Sequence, residues 1–146
     1  MHKKSATKKS SGRNFTLVPP AEKKWHDLLY GIPFPRIKEK VLGKKYELSV
    51  SFVPSGTIRV LNRKYRQKDA ATDILSFGLS KNFGELYICM PEAEKKSRLF
   101  GMSLTGYLGY LFIHGLLHLE GMDHGRTMSR LERKFCRALG ISHPQD

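Results

Sequence analysis

Three of the six histidines of this 146-residue chain fall within eleven residues, in the run Ile113-His114-Gly115-Leu116-Leu117-His118-Leu119-Glu120-Gly121-Met122-Asp123-His124. Positions 114 and 118 are four apart, so on an α-helix both imidazoles leave one face a single turn apart, near enough to share an ion. Gly121 lets the chain turn sharply, because a residue without Cβ takes positive φ at little cost, and His124 then swings back as a third ligand. A lone histidine on an apolar helix needs only a hydrogen-bond partner and carries no message about metals. Three of them close together in a leucine-rich segment each bear a desolvation cost that a shared cation offsets. His2, His26 and His143 stand apart and are read as ordinary histidines.

Three neutral nitrogen donors suit zinc, and softness and geometry alone leave cobalt, nickel or iron open. A closed structural zinc site normally takes a fourth protein ligand, usually cysteine. Neither Cys89 nor Cys136 is placed to supply one. The expected centre is therefore one Zn2+ on His114, His118 and His124 with water in the fourth position, its pKa drawn towards about 7, and hydrolysis as the reaction class. The spacing His-x3-His-x2-Gly-x2-His also matches the long zinc-protease signature. Those proteases carry a glutamate general base after the first histidine, whereas here that position is Gly115, which has no side chain to take a proton. Asp123 and Glu120 can be orienters of the ligands or merely solvent-facing or capping acids.

These side chains need a frame. Tyr46, Leu48, Val50 and Phe52 alternate with Glu47, Ser49 and Ser51, the period-two mark of a half-buried strand. Phe15 to Val18 reads as a short strand, and Thr72 to Phe77 with Glu85 to Met90 as a hairpin. Pro20 at a first helical position opens an amphipathic stretch that stops at Gly31, and a second short helix follows Pro35. Ser55 reads as the cap of a helix burying Ile58, Leu61 and Tyr65, and Pro91 starts another through Leu99. Ser103 caps a helix whose Leu104, Leu108, Leu111, Phe112, Leu116 and Leu119 are dense enough to make it central and mostly buried. Thr127 caps a last helix that turns Met128, Leu131, Phe135 and Leu139 inward and stops at Gly140. Strands and helices mix without regular alternation. The expected class is α+β, a small mixed β-sheet packed with about five helices around a central buried helix that carries the metal ligands.

The length suits one compact domain, expected over residues 14–146 as a metal-dependent hydrolase domain. Residues 1–13 carry Lys3, Lys4, Lys8, Lys9 and Arg13 with no acid and read as a basic, solvated and disordered tail. The whole chain holds 26 Lys+Arg against 13 Asp+Glu, a net charge of +13, which favours a polyanionic partner, nucleic acid before anionic membrane. The apolar run from Tyr107 to Ile113 is well short of the roughly 18 residues a membrane helix needs, so no membrane partner is expected. The two cysteines form no metal-spaced pair and argue for buried filler in a reducing, cytoplasmic setting.

The histidine run, together with Leu61-Asn62-Arg63-Lys64-Tyr65-Arg66-Gln67-Lys68-Asp69 and Thr72-Asp73-Ile74-Leu75-Ser76-Phe77, resembles the two signature blocks of the YbeY family of bacterial rRNA maturation factors. The resemblance spans about Arg59 to Leu139. It implies an α+β fold, a zinc-like ion on the three histidines, and metal-dependent endoribonuclease activity on single-stranded RNA in a basic cleft. It further implies work on the 3′ end of 16S rRNA in the small ribosomal subunit, and in ribosome quality control. The family's cleft arginine aligns with Arg59, which would join His114 as a catalytic residue by binding phosphate or stabilising charge. The residues agree in part, since Arg59, Asn62, Arg63 and Arg66 form one polar helical stripe, which a merely solvated face would also show. Relatives usually have proline where Ala71 and Gly78 stand, Gly-Asp at Gly84-Glu85, and a longer acidic loop where this chain has only Gly125-Arg126 after His124. Two other functions compete with the nuclease: a non-catalytic ribosome-assembly or RNA-binding factor with a structural metal, and, less supported, a metalloprotease.

Overall fold

The computed structural model describes residues 14–145, so the basic tail expected over residues 1–13 lies outside the described residues. Four strands, β1 (Phe15–Val18), β2 (Glu47–Phe52), β3 (Ile74–Ser80) and β4 (Phe83–Ile88), form one sheet in the order β1-β2-β4-β3. β1 pairs parallel with β2 and β2 parallel with β4, while β3 and β4 make the expected antiparallel hairpin, so the sheet is mixed. Among the described residues there are six α-helices, in keeping with the expected number of about five: α1 (His26–Tyr30), α2 (Phe34–Leu42), α3 (Ser55–Arg66), α4 (Met90–Leu99), α5 (Leu104–Leu119) and α6 (Arg126–Leu139).

Alternation along β2 puts Leu48, Val50 and Phe52 on one face of the sheet, and Leu86 and Ile88 of β4 join them. α5 lies across that face and also packs on α2, α4 and α6. Leu108, Phe112, Ile113 and Leu116 of α5 are fully buried, each contributing roughly 1.5–3 kcal/mol of burial, which is why this helix is apolar nearly all round. The other face is covered at its β3 end by α3, where Ile58, Leu75 and Cys89 form a second small core with Phe77 and Tyr87. The α+β class and the central buried helix are as expected.

Several helix starts differ from the expected caps. Pro20 precedes the helix, which opens with a 3-10 turn at Lys23–Trp25, and the Pro20 carbonyl is 2.7 Å from His26 Nε2. Pro54 in extended conformation is the cap of α3, so Ser55 is its first helical residue, with its hydroxyl 3.4 Å from Cys89 Sγ. Gly125 precedes α6 and leaves Thr127 inside it. Ser103 does cap α5, accepting from the Gly106 amide at 3.1 Å. Both hairpin strands shift by two residues from their expected starts because Lys81 and Asn82 form the turn, and Met90 opens α4 rather than ending β4.

Gly115 sits where α5 packs on β3 and β4. A Cβ there would lie 2.6 Å from Ile74 Cδ1 and 3.1 Å from Leu86 Cδ2, so any other residue would force those side chains to shift. Ser76 of β3 donates its hydroxyl hydrogen to the Gly115 carbonyl at 3.3 Å and pins the contact.

Candidate metal centre

The last two turns of α5 carry His114 and His118, and Gly121, at φ +93°, reverses the chain towards His124. The three imidazoles come together as the spacing requires: one ring nitrogen of each lies within 4.8 Å of the other two. Ring centroids are 4.7 Å apart for His114 and His118, 4.7 Å for His118 and His124, and 5.2 Å for His114 and His124. His114 and His118 are part-buried and His124 is exposed, so the triad is fixed on its helix side and open on the other.

Each helix-borne ring is oriented through its Nδ1. His114 Nδ1 lies 2.6 Å from Glu132 Oε2 of α6, and His118 Nδ1 lies 2.9 Å from the Met122 carbonyl. Both partners are acceptors, so each Nδ1 carries the proton and each Nε2 presents a lone pair. Those two Nε2 atoms face one another at 3.2 Å, an arrangement of two acceptors that a shared cation reconciles. Burial first, then the neighbouring His114, lowers the His118 pKa and keeps the ring in its neutral, ligating form, while the Met122 hydrogen bond acts the other way. The donor set therefore fits one borderline metal ion.

Glu132 is the residue that the sequence reading missed. It is buried, and its second oxygen accepts from His143 Nε2 at 3.0 Å, so one carboxylate bridges two imidazoles. Burial acts to raise its pKa, but the hydrogen bonds from His114 and His143 outweigh that and hold it below the usual carboxylate range. His143, read as an ordinary histidine, is indeed a buried and satisfied one, yet its partner is the group that orients a ligand. Glu120 and Asp123 are both exposed and neither is hydrogen-bonded to an imidazole; the orienting acid comes from α6. A signal for Glu132 existed: the inward stripe Met128, Leu131, Phe135, Leu139 puts position 132 on the same face.

The triad floors an open cavity of about 780 Å³. Its walls include Asn62, Arg66 and Lys68 from the end of α3, Asp73 to Ser76 at the start of β3, and Lys96, Phe100, Tyr107 and Tyr110 from α4 and α5. Arg66 donates to the Ser76 carbonyl at 2.7 Å and lies over the Phe77 ring at 4.6 Å, which anchors its guanidinium at the rim. Asp73 is buried, and Tyr107 donates its hydroxyl hydrogen to it at 2.6 Å. Arg59, expected at the reacting phosphate, is not among the residues lining this cavity. It borders a separate small hollow with Ser55, Gly56 and Ala71, and Asp69 binds it through two hydrogen bonds of 2.8 and 3.2 Å. The reason is helical rise: seven residues, about 10.5 Å, separate Arg59 from Arg66, and only the last turn of α3 reaches the histidines.

A mixed α+β frame with a helix-borne, carboxylate-oriented histidine triad under a cationic cavity defines a protein with three histidines positioned to hold one metal ion. The family model described as Endoribonuclease YbeY matches residues 22–140, and the chain belongs to that family. A relative named Endoribonuclease YbeY from Mycoplasmopsis synoviae is 40% identical over 124 residues, covering 78% of this chain and 77% of its own. The protein of that name from Lacticaseibacillus casei is 31% identical over 137 residues, covering 82% and 90%. A Thermotoga maritima protein solved in solution superposes with a TM-score of 0.55 at 30% identity, over 78% of this chain and 82% of that one. The chain is thus an endoribonuclease, a hydrolase that cuts RNA internally. Among the described residues no single helix is long and apolar enough to cross a membrane.

Proposed function

We propose that this chain is a zinc-dependent, single-strand-specific endoribonuclease of the cytoplasm that matures the 3′ end of 16S rRNA on the small ribosomal subunit and takes part in ribosome quality control. Residues 14–146 work as its one hydrolase domain, and His114, His118 and His124 hold the ion. The observation that carries the metal is the facing pair of Nε2 atoms, each fixed by a hydrogen bond at its own Nδ1. When bound, zinc supplies Lewis acidity and a water-derived nucleophile at neutral pH.

The rest is done by the chain. Glu132 fixes the His114 ring and makes it a stronger donor. Arg66 offers the planar guanidinium that grips a phosphodiester and balances charge developing on it, the role first expected of Arg59. Lys68 and Lys96 draw the RNA backbone into the cavity. Protease chemistry is disfavoured by more than the missing glutamate, since a side chain at position 115 would point into Ile74 and Leu86.

The test is elemental analysis of the native protein beside His118→Ala, coupled to cleavage of a single-stranded RNA and of rRNA in the small subunit. Near-stoichiometric zinc and cleavage, both lost in the variant, are expected. Zinc loss with cleavage and rRNA processing intact would make the metal structural and the chain an assembly factor.

A further inference from the structure

Phe100 is a large apolar side chain left 47% exposed, and it lies on the wall of the histidine cavity. Exposure of one apolar residue says little by itself. Its setting says more. Its ring packs beside Tyr107 in a laterally offset stack, with centroids 5.9 Å apart and planes 24° apart, and Tyr107 is buried and bonded to Asp73, so Phe100 leans on a fixed support. Tyr107 is followed by Tyr110 at 5.8 Å and Tyr110 by His114 at 5.8 Å, a line of rings from rim to ligand.

The backbone under Phe100 is rigid. It is the C-cap of α4, and Gly101 at φ +65° closes the helix: its amide donates to the Arg98 carbonyl at 3.1 Å and the Met102 amide to the Ser97 carbonyl at 2.9 Å. This double closure satisfies the last carbonyls and sets the direction in which Phe100 projects. Lys96, one turn earlier, lines the same wall, with Arg66 and Lys68 in the same cavity; Asp123 is the exposed acid there.

We infer that Phe100 is a nucleobase-stacking platform, a subsite that seats one unpaired base of the RNA while Lys96, Arg66 and Lys68 hold its phosphates. An exposed ring steadied by a second ring in a cavity shared with cations suits single strands, because the base faces of a duplex are already covered. The subsite rests on the RNA reading of the cavity and adds to it a position along the strand, three ring-to-ring steps from His114.

The experiment is equilibrium binding of short fluorescent single-stranded RNAs with non-hydrolysable backbone linkages to the full-length, zinc-loaded chain, with an abasic nucleotide moved one position at a time. Phe100→Ala is expected to weaken binding of the intact RNA roughly 5- to 150-fold, the value of one base–aromatic stack, and Phe100→Trp to restore it. Abasic substitution at one position, and at no other, should erase the difference between wild type and Phe100→Ala. Phe100→Leu, which keeps bulk over Tyr107 without a π-face, should behave as Phe100→Ala does and covers the case in which alanine unfolds the chain. Leu99→Ala, at a 78% exposed neighbour, should leave binding unchanged. Wild-type binding with Phe100→Leu within twofold of it, or a loss spread over all abasic positions, overturns the subsite and leaves the nuclease reading standing. No binding of single-stranded RNA by the wild type overturns both.

Discussion

The floor and one wall of the cavity are built in opposite ways. The floor is three imidazoles on and beside a buried helix, two of them fixed by hydrogen bonds to Glu132 and to the Met122 carbonyl. The side contributed by α3 is a row of exposed cations, of which Arg66 reaches the cavity while Arg59 and Arg63, outside it, share Asp69 with side chains more than half exposed. A metal ion needs donors placed to within a few tenths of an ångström, so its ligands stand on an element locked from several sides. A phosphate chain needs positive charge within reach, and water-facing arginines supply it without tight placement. The buried half of this enzyme is thus where small changes should cost most.

The comparison breaks most easily at Glu132. Replacing it with alanine leaves two imidazole N–H groups without an acceptor in a buried place, and a loss on the order of 3 kcal/mol is expected in denaturant unfolding of the metal-free chain. Metal affinity should fall by about 10- to 100-fold in a competition titration, as for other residues that orient a ligand. If both stay at wild-type values, the floor is not preorganised in the way described.

Gly115→Ala tests the next link, the contact between α5 and the sheet. Overpacking against Ile74 and Leu86 costs about 1–3 kcal/mol, and the better helix propensity of alanine returns at most about 1 kcal/mol, so a net loss of about 1 kcal/mol is expected. Glutamate should do worse, and thermal melting of both variants measures the order.

Along α3, the two arginines should separate. Arg66→Ala is expected to slow cleavage of single-stranded RNA by tenfold or more, while Arg59→Ala changes it by less than about threefold and leaves the melting temperature nearly unmoved. Equal losses from both would return Arg59 to the reacting phosphate.

The smallest effect is alkaline. Burial first, and then the Asp73 carboxylate, push the Tyr107 hydroxyl far above the ordinary phenol range. In the unfolded chain it ionises near its usual pKa of about 10, so its contribution is fully present below pH 10 and is lost as the pH rises beyond it. Melting temperatures measured from pH 8 to pH 11 should fall at the upper end, and Tyr107→Phe should flatten that fall.

Much of the site was legible because it is local. The four-residue step from His114 to His118, the reversal at Gly121 and the apolar density of α5 depend on helical geometry and on φ alone, and all three appear as expected. So does the alternation of β2. The parts that were not legible all depend on contacts between distant segments. Glu132 lies 18 residues beyond His114 and meets it only because α6 packs against α5. Asp73 and Tyr107 are 34 residues apart and meet because β3 runs beneath α5. Arg59 and Arg66 share a helical face and look equivalent along the chain, and the position of α3 over β3 decides which one borders the histidines. Sequence by itself determined which residues can ligate and which face of each helix is apolar, since those follow from side-chain chemistry and a fixed period. The tertiary structure alone decided the acid that orients a ligand and the cation that reaches the cavity, because helix packing, not spacing, brings those atoms together.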